Sequence, residues 1–120
     1  MTDKTLTGKV ISINAADAAD AAAKMNLRVI IELLDVSLAD APSKTLAKQT
    51  VVIGPNAPRL FPIPFKLAYS SNKIQKRNRY CVSVRIEDMQ SKLYWITTTQ
   101  HSVLTNGAPA DQVTVRVERV

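Results

Sequence analysis

The chain has one cysteine, one histidine and three glycines among its 120 residues, and each scarcity removes a class of protein. A single thiol closes no internal disulfide, so no cross-linked scaffold is possible and Cys81 reads as a small strand residue. Cys81 and His101 are too few and too far apart to make a zinc site. Gly8, Gly54 and Gly107 are isolated, which excludes a glycine-rich phosphate loop. Long apolar runs are missing too. The longest, such as Val29-Ile30-Ile31 and Val51-Val52-Ile53, are three residues against the ~20 of a membrane span. The first residues, Met1-Thr2-Asp3-Lys4-Thr5, carry neither a signal-peptide pattern nor a lipid-accepting cysteine. Membrane attachment is therefore expected only if a lipidated leader belongs in front of Met1.

What remains is ordinary globular composition, 46% hydrophobic and 22% charged, which excludes disorder and collagen-like repeats. A domain of this length buries roughly two-thirds of the surface its unfolded chain exposes, so one core in a single domain over 1–120 is expected.

Acidic residues are the minority charge, 10 against 16 Lys plus Arg, for a net charge of +6. The excess lies in the second half of the chain. Lys66, Lys73, Lys76, Arg77, Arg79 and Arg85 follow one another with no acidic residue between them. Such a run is either a solvated loop or a surface that steers nucleic acid, lipid head groups or an acidic protein. Lys73, Lys76, Arg77 and Arg79 are the candidate partner-binding residues. Tyr69 and Tyr80 flank them, and a nucleic-acid reading would use both as stacking platforms.

Catalytic groups are sparse. Cys81, His101 and either Asp88 or Asp111 could in principle make a nucleophilic set, but Cys81 sits within a strand pattern and not at a nucleophile turn. Glu87 and Asp88 are adjacent and so point to opposite faces of a strand. Asp35, Ser37 and Asp40 read as loop residues that bond nearby backbone amides. No catalytic residue, metal or cofactor is expected, and the chain is read as a non-enzyme.

Alternation of apolar and polar residues marks a series of half-buried strands. Leu6 to Ile13 is a strand with an ambiguous buried face. Residues 25–35 bury Leu27, Val29, Ile31 and Leu33, and Leu46 to Ile53 follow as a third strand. In the fourth, Phe61 to Tyr69, Pro62 and Pro64 remove two successive N–H donors from one edge. That predicts an edge strand, with Phe61, Ile63, Phe65 and Leu67 buried. Arg79 to Asp88 buries Tyr80, Val82, Val84 and Ile86. A hairpin at Met89-Gln90-Ser91 leads into Lys92 to Thr99, and Val113 to Val120 closes the chain. Ala15 to Lys24 has helix propensity but no large apolar residue, which predicts a short helix or loop between the first two strands. The fold class expected is an all-β, antiparallel β-sandwich of about seven strands, or an open barrel.

Four phrases together resemble the YbaY/YscW family of bacterial envelope lipoproteins, which includes type III secretion pilotins. They are Ile31-Glu32-Leu33-Leu34-Asp35-Val36-Ser37-Leu38-Ala39-Asp40-Ala41-Pro42, Phe61-Pro62-Ile63-Pro64-Phe65, the segment from Asn78 to Asp88, and Ser102-Val103-Leu104-Thr105-Asn106-Gly107-Ala108-Pro109. They are similar in order and spacing from about Leu6 to Val117. The resemblance implies a small β-sandwich without enzymatic chemistry that binds a partner polypeptide and assists its delivery at the outer membrane. It also implies a periplasmic or outer-membrane location, whereas Met1 as the natural start would imply the cytoplasm. An accessory or enzymatic role in envelope polysaccharide metabolism is the alternative attached to relatives. It would need His101 beside Asp88 or Asp111.

Overall fold

The computed structural model describes residues 3–12, 26–37, 43–54, 61–98, 101–105, 107–109 and 111–120. The Ala-rich stretch expected as a helix or loop, and Asp40, lie outside these residues. Among the described residues there are eight strands: β1 (Asp3–Ser12), β2 (Leu27–Asp35), β3 (Lys44–Ile53), β4 (Ile63–Ser70), β5 (Tyr80–Asp88), β6 (Leu93–Ile96), β7 (His101–Val103) and β8 (Val113–Arg119). One turn of 3₁₀ helix, Ser71–Lys73, follows β4.

The strands form one continuous sheet in the order β3-β2-β5-β6-β8-β1-β4, with β7 on β5. It folds into two facing layers, β4-β1-β8 and β3-β2-β5 with β6 and β7. The joint is β8, whose Val113 to Val117 pair with Gly8 to Ser12 while Glu118 and Arg119 pair with Ile96 and Trp95. The expected sandwich is therefore a nearly closed barrel.

Two details depart from the sequence reading. The β1–β8 pairing is parallel, in a fold expected to be antiparallel throughout. The strand expected over Lys92 to Thr99 is shorter, and a further strand continues along β5: β6 pairs with Arg85 to Glu87 and β7 with Tyr80 to Val82. A register shift between Ile86 and Glu87 falls within the β5–β6 pairing itself.

The period-2 pattern of each strand aims its apolar residues into one core. Leu27, Val29, Ile31 and Leu33 of β2 meet Val82, Val84 and Ile86 of β5, all with almost no solvent exposure. Phe61 packs edge-on against the fully buried Trp95, with ring centroids 5.7 Å apart. The ambiguity of β1 is settled by its neighbours: Leu6 and Val10 are buried and Gly8 lies between them. Phe65, the cross-strand partner of Gly8, occupies the space where a side chain would stand.

The edge reading of β4 holds. Its described partner is β1, and Lys66, of the same parity as Pro62 and Pro64, turns its N–H away from β1. That amide is taken by Gln49 Oε1 of β3, at 2.9 Å.

Gly8→Ala tests the close approach at the centre of this packing. The added Cβ would run into the Val113 carbonyl and the Phe65 ring, backbone on one side and a core side chain on the other. A loss of about 2–3 kcal/mol in urea unfolding is expected, at the upper end for overpacking. A neutral result would mean that β1 shifts freely against β8.

Candidate functional site

The basic segment lies in the connection from β4 to β5, and buried groups hold its backbone. Tyr80 is 1% exposed, and its hydroxyl accepts from the Gln75 N–H (2.8 Å) and donates to the Lys73 carbonyl (3.3 Å). Ile74 is half-buried against the core. At the far end of the loop, Asp35 Oδ1 accepts from the Ser37 hydroxyl (2.6 Å) and amide (3.0 Å), and Oδ2 accepts from Asn78 Nδ2 (3.2 Å). Ser37 Oγ in turn accepts from the Arg79 N–H (2.8 Å), the Val36 N–H bonds the Arg79 carbonyl (3.0 Å), and Thr105 Oγ1 donates to the Asn78 carbonyl (2.6 Å). The turn role expected for Asp35 and Ser37 is thus met, and it extends across the fold to the basic loop. The Ser37 hydroxyl, with help from the Ser37 amide, Asn78 and the Lys44 charge, outweighs the opposing effect of burial and holds the Asp35 carboxyl below its ordinary range.

Lys73, Lys76, Arg77 and Arg79 are all exposed. Strand register adds two cations that the linear reading missed. Lys4 is opposite Tyr69 and Lys44 opposite Asp35, so both stand at the same mouth of the barrel. The start of β1 is there as well, because Asp3 pairs with Ser70. These residues are far apart in sequence and only the pairing of β1 with β4 and of β2 with β3 brings them together.

The other candidates separate. Tyr69 and Tyr80 are both buried core residues, so the stacking platforms that a nucleic-acid surface would need are not offered to solvent. His101 pairs with Val82, and its Nε2 faces the backbone of Arg116, 3.3 Å from both the N–H and the carbonyl oxygen. Asp88 is six residues farther along β5, roughly 20 Å at strand rise. There its carboxylate accepts from the Gln90 and Lys92 amides at 2.9 Å. Asp111 precedes β8, whose Val113 is level with Gly8. Cys81 is buried, and that burial pushes its thiol up, away from the reactive thiolate. It pairs with Ser102, not with His101, and neighbours along a strand face opposite sides. No group of three metal-ligating side chains occurs among the described residues.

A second feature is the seam between the two sheet edges. β3 ends the sheet on one side and β4 on the other. Between them, among the described residues, runs no backbone ladder, and Gln49 Oε1 bonded to the Lys66 N–H bridges the gap. Ala47, Val51 and Ile53 of β3 face the core yet remain half-exposed along this seam, together with Leu46. The signal in the sequence was a polar Gln49 at an inward position of an otherwise apolar set. It becomes informative only once β3 is known to end the sheet.

Comparison with known proteins follows the same lines. A family model described as type III secretion system lipoprotein chaperone, YscW, matches residues 2–116. Among solved structures, the chain is similar to an alternative pilotin from the type II secretion system of Vibrio cholerae. The two share 36% sequence identity with a TM-score of 0.80 over 99% of this chain and 98% of that one. A search of curated proteins returns no match.

Two measurements check the loop anchors. Tyr80→Phe should cost about 1 kcal/mol and speed amide exchange at Gln75 more than in the strands. For Asp35, a carboxyl with a depressed folded-state pKa stabilises above its unfolded value and loses that contribution as pH falls through the folded one. Wild type should therefore exceed Asp35→Asn in stability at neutral pH, and the gap should shrink as pH drops below about 3.9. A gap that stays constant down to acid pH would contradict the assignment.

Proposed function

The chain belongs to the YscW family, described as type III secretion system lipoprotein chaperones, and we propose that it works as a pilotin-like module that binds a partner polypeptide of an envelope secretion machine. The observation that carries this reading is the seam. Among the described residues it combines half-buried apolar residues of β3, a strand edge with no ladder partner and the Gln49–Lys66 hydrogen bond across the gap. An open strand edge beside partly exposed apolar residues suits a peptide, which can add backbone hydrogen bonds to one wall and side chains to the other. The two walls are not equivalent. On β4, Pro62 and Pro64 offer no donors, so β3 is the wall that can pair. The separation of His101 from Asp88 along β5 supports a binding role over the polysaccharide-enzyme alternative.

Amide exchange of the protein with its partner co-purified from native cells tests the reading. Amides of β3 should exchange at least about tenfold more slowly in the complex, an opening cost of ~1.4 kcal/mol, while those of β8 should not change. An unaltered β3 map, with protection confined to the outer faces of β5 and β6, would defeat it.

A further inference from the structure

We infer that the mouth of the barrel carrying Lys4, Lys44, Lys73, Lys76, Arg77 and Arg79 seats on an anionic phospholipid surface. The six cations come from β1, β3 and the β4–β5 connection, and all six are exposed. They are spread around one end of the fold and do not line the seam's length. Three described carboxylates stand at that end: Asp35, Glu32 and Asp111, the last in the connection from β7 to β8. Asp35 is engaged by Ser37 and Asn78, and Glu32 accepts from Thr45 Oγ1 at 3.1 Å. Six cations against three carboxylates leave an excess of three positive charges among the described side chains of that end.

The surroundings of these cations favour a bilayer over an acidic protein. Tight protein interfaces are anchored by buried aromatic or large apolar residues, with charge at the rim. Among the described residues this end offers no such anchor: Tyr69 and Tyr80 are inside, and the large exposed hydrophobic residues, Val52, Met89 and Val120, lie elsewhere. A planar anionic surface needs no anchor, because dispersed lysines and arginines each contribute to adsorption separately. The loop's fixed backbone presents its cations together without the ordering cost of a mobile segment. The inference goes beyond polypeptide binding at the seam and does not depend on it.

The test is co-sedimentation of the unlipidated chain with vesicles of phosphatidylcholine alone or containing roughly one-third phosphatidylglycerol. Binding is expected only to the anionic vesicles, and it should disappear at roughly 0.5 M salt, where screening reaches only a few ångström. The variant K73E/K76E/R77E should bind at least about tenfold more weakly at unchanged thermal stability. A charge-matched variant on the barrel wall, K9E/K66E/R116E, should keep most of the affinity. Equal losses in the two variants would show attraction to net charge alone and overturn the inference. So would failure of the wild type to sediment with anionic vesicles while it binds poly-glutamate through Lys73, Lys76 and Arg77, which would assign this end to an acidic polypeptide.

Discussion

A sheet wrapped around a core must either close on itself or leave two edges, and most of this molecule follows from how those edges are handled. The strand β8 is hydrogen-bonded to β1 along most of its length and to β6 at its end, which makes two layers into one sheet. Among the described residues, β3 and β4 then end the strand order, with β7 set beside β5. An open edge exposes unpaired backbone groups that invite association with other chains. Here one edge is blunted by Pro62 and Pro64, and the Lys66 amide beside them is satisfied by Gln49. The other edge keeps its donors. A protein that needs a single docking wall and must avoid random pairing has a physical use for that asymmetry.

The same geometry separates what is rigid from what is presented. Alternating residues of β2, β5 and β8 fill the interior, and the inward face of β3 is the least covered part of the wall. At the mouth, the hydroxyl of a buried tyrosine and a carboxylate bonded to serine and asparagine hold the backbone that carries exposed cations. Tyr80 and Asp35 are architectural in the sense expected from their strand and turn positions, yet what they support is a charged surface. Three of the groups weighed for catalysis stand apart in structural contacts: a thiol buried in β5, an imidazole against the backbone of β8, and a carboxylate bonding turn amides.

Much of the fold was legible in sequence because a strand's period of two writes the core directly into the chain. The inward residues of β2, β4, β5 and β8 stand where alternation put them. The prolines marked β4 as an edge for a reason local to their own rings. Where the pattern was mute, the cause was also local. The two faces of β1 looked alike because the residue that fills the space at Gly8 is Phe65, from another strand. The break between β6 and β7 reflects a shared partner, β5, and not any turn signal in residues 92–99.

The four phrases of the family and the all-β class were properties of the sequence by itself, since propensity, parity and turn chemistry act over a few neighbouring residues. Tertiary structure alone decided that β1 runs parallel to β8, that Gln49 meets Lys66, and that Lys4 and Lys44 join the basic loop at one mouth. Those outcomes depend on strand order and register, which are set by the competition among all the strands for one core and cannot be read from any one of them.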